Sequence, residues 1–329
     1  MTKYNESRCL KVRILPSHFD GLGGVGRYGR SLISSLVAEG CDLVTDDGYD
    51  VLHLMTAHRY DAEWREAKRR GKRLVVTVHD LIPEHFNLTG PQYAGVSERR
   101  EVLEAADAIV AVSQYTKDDI IATYGLPAAK IHVIHNGVAQ DKKRLSAVHL
   151  ESPPPPFLLW VGRRAGYKNF FWFVRSVTPL LWRTNWRVVC TGGQAFGRKE
   201  RLLLALLGLS RRFKVVCADE AQMAQLYREA ICLVMPSKME GFGLPLIEAM
   251  ANGCPVVVPR AHVFPEIAGD AAAYYELGNA EEMRRQIALC TESRFRAALM
   301  AKGRSQAGRY SWEKSAKAVC KVYEGVMNP

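Results

Sequence analysis

Pro236-Ser-Lys-Met-Glu-Gly-Phe-Gly-Leu-Pro-Leu-Ile-Glu-Ala-Met-Ala-Asn-Gly-Cys-Pro-Val-Val-Val-Pro259 reads as glycine loop, short helix, turn and strand. The apolar run Ile231 to Met235 ahead of it has the length of a buried strand. Gly241 and Gly243 open the loop to backbone angles that other residues avoid. Pro245 suits the first helical position, and Gly253 stands where a helix stops. A helix that begins behind a glycine loop offers free N–H groups and a positive dipole end, hence a place for an anion. Glu240 and Glu248 flank that place. Two carboxylates beside an anion site fit a ligand in which a phosphate lies between hydroxyl-rich groups, because carboxylates accept from hydroxyls.

Outward from this stretch the chain repeats strand and helix. Toward the N-terminus, Leu10 to Leu15 predicts a strand, and Gly21-Leu-Gly23-Gly24-Val-Gly26 a glycine loop; Arg27 to Val37 follows in helical rhythm. Gly21-x-Gly23-x-x-Gly26 formally matches the dinucleotide fingerprint, which would point to a nicotinamide-dependent dehydrogenase. The five residues after the strand, Pro16 among them, make the turn longer than that motif uses. An anion-holding loop and a ligand-free connection both stay open at that position. Leu74 to Val78 predicts a buried strand ending in His79-Asp80, and ligands in open α/β sheets collect beyond strand carboxyl ends. That pair is either a site or a strand-end histidine whose aspartate caps the next turn. Ser113 reads as a helix cap. Beyond Ile131 to Ile134, His135-Asn136-Gly137 reads as a turn.

Ser152-Pro-Pro-Pro-Pro156 is the strongest punctuation, and stiff proline runs suit linkers. After it come a strand at Phe157 to Val161, a loop to Asn169, and a helix from Phe170. Glu281 to Gly303 reads as helical. Ser311 reads as the cap of a last helix striped by Trp312, Ala316, Val319 and Tyr323. The expected fold class is α/β, with two doubly wound, mostly parallel sheets.

The 329 residues, 48% apolar and 24% charged, suit two domains with their own cores. No run has the length of a membrane span, and the N-terminus lacks the apolar stretch of a signal peptide. The eight cysteines form no Cys-x-x-Cys pair, and most follow apolar residues, as Cys190, Cys217 and Cys232 do. They read as reduced thiols of a cytoplasmic protein. The formal charge of +11 favours anionic partners, with basic clusters at Lys68 to Arg73, Lys142 to Arg144, Arg198-Lys199 and Arg211-Arg212. No interleaved basic and aromatic motif supports nucleic acid, which is not expected as a partner. A nucleotide-sugar-binding protein without catalysis is the remaining alternative of another class.

Taken together, the motifs resemble retaining, nucleotide-sugar-dependent glycosyltransferases of the GT-B fold, family 4. Glu240-Gly-Phe-Gly-Leu-Pro-x-x-Glu248 is similar to that family's Glu-x7-Glu signature, and Arg163 to Lys168 to its Arg-x4-Lys element. Gly23-Gly24-Val-Gly26, Thr77 to Pro83, Asn136-Gly137-Val138 and Tyr310-Ser-Trp-Glu-Lys-Ser-Ala resemble it too. The His-Asp-Leu-Ile-Pro stretch is most similar to bacterial mannosyltransferases of O-antigen and exopolysaccharide synthesis. Departures are His135, Ala139, the Val215 to Glu220 stretch and Arg260 to Phe264.

The resemblance implies two Rossmann-like domains facing across a cleft, one from 1 to 151 plus 310 to 329, the other from 152 to 309. The last helix would cross back to the first domain. It implies catalytic roles for Glu240, His79, Arg163 and Lys168. It implies donor contacts from Gly23, Gly24, Arg163, Lys168, Glu240, Gly241, Phe242, Gly243, Leu244 and Glu248. Asp80, Asn136 and Gly137 would line the acceptor side. No metal or other cofactor is expected. The expected partners are a nucleotide sugar (GDP-mannose first, then UDP-, ADP- or dTDP-sugars), a glycan or lipid-linked acceptor, and an anionic membrane surface at the cell membrane's inner face. A retaining transferase with no carboxylate nucleophile would use front-face attack, with the leaving phosphate taking the acceptor proton.

Overall fold

The computed structural model describes residues 10–15, 23–57, 61–88, 98–138, 156–164 and 166–328. They form two compact units, Met1–Gly137 with Ser311–Pro329, and Val138–Tyr310. Of the proline run, only Pro156 is among the described residues, as are neither Gly21 nor the cluster at Lys142 to Arg144.

The first unit runs β1 (Lys11–Leu15), α1 (Gly24–Ala38), β2 (Asp42–Leu43), β3 (Val51–Leu54), α2 (Asp61–Arg69), β4 (Arg73–Val78), α3 (Ile82–His85), α4 (Arg99–Ala105), β5 (Ala108–Ala111), α5 (Gln114–Tyr124) and β6 (Ile131–Val133). Its sheet is parallel throughout, in the order β2-β1-β3-β4-β5-β6. The central strands β3 to β5 are almost wholly apolar and buried, as both faces of a helix-covered parallel sheet must be. In α1, Tyr28, Leu32 and Leu36 recur at four-residue spacing and form its buried stripe. Ser113 caps α5 by accepting from Thr116 N at 3.0 Å.

The second unit runs β7 (Phe157–Val161), α6 (Phe170–Arg183), β8 (Arg187–Thr191), α7 (Arg198–Leu206), β9 (Phe213–Val216), α8 (Glu220–Glu229), β10 (Cys232–Val234), α9 (Leu244–Ala251), β11 (Val256–Pro259), α10 (Phe264–Ala268), β12 (Ala273–Tyr275), α11 (Ala280–Leu289) and α12 (Ser293–Ala307). Its sheet is also parallel, in the order β12-β11-β10-β7-β8-β9. An aromatic cluster of Trp160, Phe170 and Phe173 fills the core on the α6 side. The order reverses at β7, whose next strand in sequence, β8, lies on one side while β10 lies on the other. Such a reversal splays the loops that leave the two strand ends and opens a crevice for ligand.

Several local expectations change. The helix expected from Glu281 to Gly303 is two, α11 and α12, broken at Cys290–Glu292. Pro245 is the second residue of α9 rather than the first, because Gly243, at φ +84°, serves as its N-cap. Cys217 is exposed, whereas Cys190, Cys232, Cys254 and Cys290 are buried thiols. Burial pushes the Cys190 and Cys254 thiols up to about 12, which leaves them unreactive.

The last helix, α13 (Trp312–Met327), belongs to the first unit. It packs on α1 and buries Ser315, Ala316, Val319, Val322 and Tyr323. Its start is pinned to the turn after β6. Ser315 Oγ donates to the His135 carbonyl at 2.6 Å, and a Cβ built on Gly137 would stand 2.1 Å from Trp312 N. That neighbour is backbone and has no rotamer to yield. Gly137→Ala is therefore expected to cost about 3 kcal/mol in denaturant unfolding. Gly23→Ala, where an added Cβ meets nothing among the described residues and φ is −69°, should cost less than about 1 kcal/mol.

Candidate active site

In the second unit the reversal point gathers the charged residues. The loop after β7 carries Arg163 and ends in a single 3-10 turn, Gly166–Lys168. The loop after β10 carries Ser237 to Gly243. The Lys238 N–H donates to the Tyr167 carbonyl at 2.8 Å and fixes one loop against the other. Lys168 Nζ then reaches Glu240 Oε1 at 2.5 Å, with side chains 15% and 9% exposed. A pair this far out of water is held by geometry on both sides, since either charge alone would be costly there. Arg163 is exposed and has no ion pair among the described residues.

Gly241, Phe242 and Gly243 are buried as the loop turns into α9. The Phe242 ring stands edge-on to Tyr310 at 5.7 Å, so its side chain anchors the loop and its backbone faces the helix start. Leu244 is the first residue of α9. Glu248, one turn further, accepts from the Tyr227 hydroxyl at 2.9 Å. Tyr227 is a buried residue of α8 with no signal of its own in the sequence, and it helps to set the direction of the Glu248 carboxylate. Arg164 was passed over too. Its Nε meets Glu200 Oε1 at 2.7 Å and its Nη2 donates to the Gln194 carbonyl at 2.5 Å, which ties the loop after β8 to the loop after β7.

The first unit has a different character. His79 follows β4, and its Nε2 donates to the Met55 carbonyl, just past β3, at 2.9 Å. A carbonyl only accepts, so the proton sits on Nε2 and Nδ1 carries the lone pair. The Tyr28 ring meets His79 edge-on at 4.7 Å and Trp312 at 5.7 Å. Behind them runs a buried polar chain. Tyr28 and Thr77 hydroxyls are 3.3 Å apart, His53 Nε2 lies 2.8 Å from Thr77 Oγ1, and His53 Nδ1 lies 2.6 Å from the Tyr323 hydroxyl. His53 had no signal in the sequence beyond its place in an apolar strand.

Asp80 is used locally: its Oδ1 accepts from the Ile82 N–H at 3.1 Å, and its carbonyl accepts from Arg99 Nη1 at 2.9 Å. Asn136 is buried, and its Oδ1 has no hydrogen-bond partner among the described residues. Gly23 caps α1, and Gly24 begins it.

Two glycosyltransferase families match the chain in separate halves: Glycosyltransferase Family 4 over residues 42–142, and Glycosyl transferases group 1 over residues 155–292. A Rickettsia africae glycosyltransferase superposes with a TM-score of 0.73 over 98% of this chain and 99% of that one, at 16% identity. Anabaena HepE, solved with UDP and glucose, gives 0.77 over 96% and 100%, also at 16% identity. The chain has the GT-B glycosyltransferase fold. Among curated relatives, a D-inositol 3-phosphate glycosyltransferase of Streptomyces bingchenggensis is 29% identical over 85% of this chain and 67% of its own length. The O-antigen chain mannosyltransferase B of Escherichia coli is 26% identical over 78% and 71%. Each half of the sequence is thus similar to a glycosyltransferase family.

Burial governs the two histidines. Desolvation pushes His53 down to about 3, with repulsion from His79 adding to it. Desolvation also pushes His79 down to about 4, against the opposing hydrogen bond to Met55. Unfolded, both titrate near 6.5. Between those values the unfolded chain binds protons that the folded chain refuses, so stability falls as pH drops below about 6.5. His53 is fully buried, whereas His79 keeps some solvent contact, so the larger loss belongs to His53. At pH 4.5 it is on the order of 3 kcal/mol. Urea unfolding at pH 7 and pH 4.5 checks this: His53→Gln should shrink the drop by about that amount, and an unchanged drop would refute the assignment.

Proposed function

We propose that this GT-B glycosyltransferase moves a hexose from a nucleotide sugar to a glycan or lipid-linked saccharide, with retention, and that the hexose is mannose carried by GDP. The observation that carries the reading is the Lys168–Glu240 pair beside the start of α9 at the strand-order reversal of the second unit. Lys168 and Arg163 supply positive charge for a diphosphate leaving group, where charge grows in the transition state. The positive dipole end at the start of α9 serves the same end. Glu240 accepts from hydroxyls of the donor sugar, and Glu248, oriented by Tyr227, accepts from the ribose. Gly23 adds an argument of its own. Neither its φ nor its packing among the described residues demands glycine, so a bare backbone there suits close approach by a phosphate.

In the first unit, His79 presents a neutral ring with a lone pair on Nδ1, suited to accept from a sugar hydroxyl. Asn136 offers an amide oxygen of the same kind. The mannose reading leans on the mannosyltransferases among the relatives, and lipopolysaccharide or exopolysaccharide synthesis in the cytoplasm is its setting. In this reading Glu240 is spent on donor hydroxyls rather than on nucleophilic attack. Positioning and electrostatics, with the leaving phosphate as base, then carry the step.

The test is a screen of GDP-, UDP-, ADP- and dTDP-sugars for thermal stabilisation and slow donor hydrolysis. GDP-mannose is expected to raise the melting temperature most, and preference for a UDP-sugar would replace the donor while keeping the reaction class. Glu240→Gln keeps the shape and removes the charge. It should cut turnover about a hundredfold or more with the fold intact, and near-normal turnover would sink the role of Glu240. Tyr227→Phe should raise the donor KM several-fold with little change in kcat, because it removes one hydrogen bond that orients the Glu248 carboxylate without touching the reacting atoms.

A further inference from the structure

Three of the large apolar side chains most open to water lie together on the second unit, away from the strand carboxyl ends. Trp182, at the end of α6, is 65% exposed; Leu202 and Leu206, on α7, are 61% and 76% exposed. Trp182 Nε1 donates to the Leu207 carbonyl at 3.1 Å, which sets its ring at the end of α7. Leu202 and Leu206 are one turn apart and share a face with Arg198. Their neighbour Leu204 turns the other way into the core.

The surrounding charge is one-sided. Residues 175 to 212 hold eight Lys and Arg and one carboxylate, a net of seven out of the chain's +11. That carboxylate, Glu200, is taken up by Arg164. Arg183, Arg198, Arg201 and Arg211 are exposed and have no carboxylate partner among the described residues. Arg212 bonds the Trp186 carbonyl at 3.2 Å, which draws the turn before β9 toward the start of β8.

We infer that this face of α6 and α7 docks on an anionic lipid surface, with Trp182, Leu202 and Leu206 entering the headgroup layer and the arginines meeting lipid phosphates. Apolar side chains rimmed by unpaired cations are the composition that interfacial binding needs, since area and charge act together. A second copy of the chain fits poorly, because a two-fold contact would bring the same arginines face to face. Nucleic acid would use the cations and leave the leucines in water. The inference is independent of the donor assigned above, because vesicle binding is read without turnover.

Co-sedimentation of the full chain with vesicles tests it. Binding is expected to vesicles holding about 30% phosphatidylglycerol, and not to phosphatidylcholine alone, and it should fall steeply by about 0.5 M salt. Leu202→Ser with Leu206→Ser, and separately Arg201→Gln with Arg211→Gln, should each weaken binding about tenfold at unchanged melting temperature and donor hydrolysis. Brominated lipid should quench the protein's fluorescence less in Trp182→Phe. Equal binding to neutral vesicles, or indifference to both double variants, overturns the proposal. So does a leucine variant whose only change is loss of a dimer.

Discussion

The pairing of Lys168 with Glu240 is the constraint on which the second unit's site depends. It joins the loops that leave β7 and β10, the two strands where the sheet order reverses. The loops are already tied by a backbone bond from Lys238 to Tyr167, so the ion pair is made between groups whose positions are set independently. This matters energetically. A largely buried pair seldom adds net stability over an apolar one, because desolvation offsets the attraction. A pair held there is better understood as two charges kept in place for something else. The Lys168 ammonium is compact and multiply donating, so it can turn toward a phosphate without losing the carboxylate at a distance.

Unit one solves its own positioning with neutral groups. Tyr323, His53, Thr77 and Tyr28 form a chain from α13 through β3 and β4 to α1, and every link lies away from water. Hydroxyls at both ends of the His53 ring can each donate or accept, so a neutral imidazole is satisfied without a fixed charge. Because Tyr28 lies edge-on to His79 and Trp312, the seat of α13 and the orientation of His79 share one set of contacts. Gly137 adds to this by letting the start of α13 touch the turn after β6 directly.

Much of this was legible beforehand, and for identifiable reasons. The β7 strand at Phe157–Val161 and the Ser113 and Ser311 caps follow from local patterns whose physics is short-range. The parallel sheets follow from uninterrupted apolar strands such as Val51–Leu54. What escaped depends on partners distant in the chain. Tyr227 looks like any core residue of an amphipathic helix until Glu248 is brought beside it. Arg164 is merely next to Arg163 in sequence, yet its side chain is the buried one, locked to Glu200 and to the loop after β8, while Arg163 stays exposed. His53 is separated by 270 residues from the hydroxyl that holds it. The break between α11 and α12 falls at Cys290–Glu292, where neither glycine nor proline marks it.

The contrast between the units bears on mechanism. One collects lysine, arginine and glutamate, and the other offers a histidine that burial holds at about 4. A general base is effective when its pKa lies near the working pH. An imidazole that low is too weak to strip a proton from a sugar hydroxyl, and its Nε2–H is committed to the Met55 carbonyl. What remains to Nδ1 is to accept a hydrogen bond and orient a hydroxyl. On the reading proposed above, the base must then come from elsewhere, and the departing phosphate is the group whose basicity grows as the glycosidic bond breaks. On that reading His79 is a group that orients a hydroxyl rather than one that removes its proton.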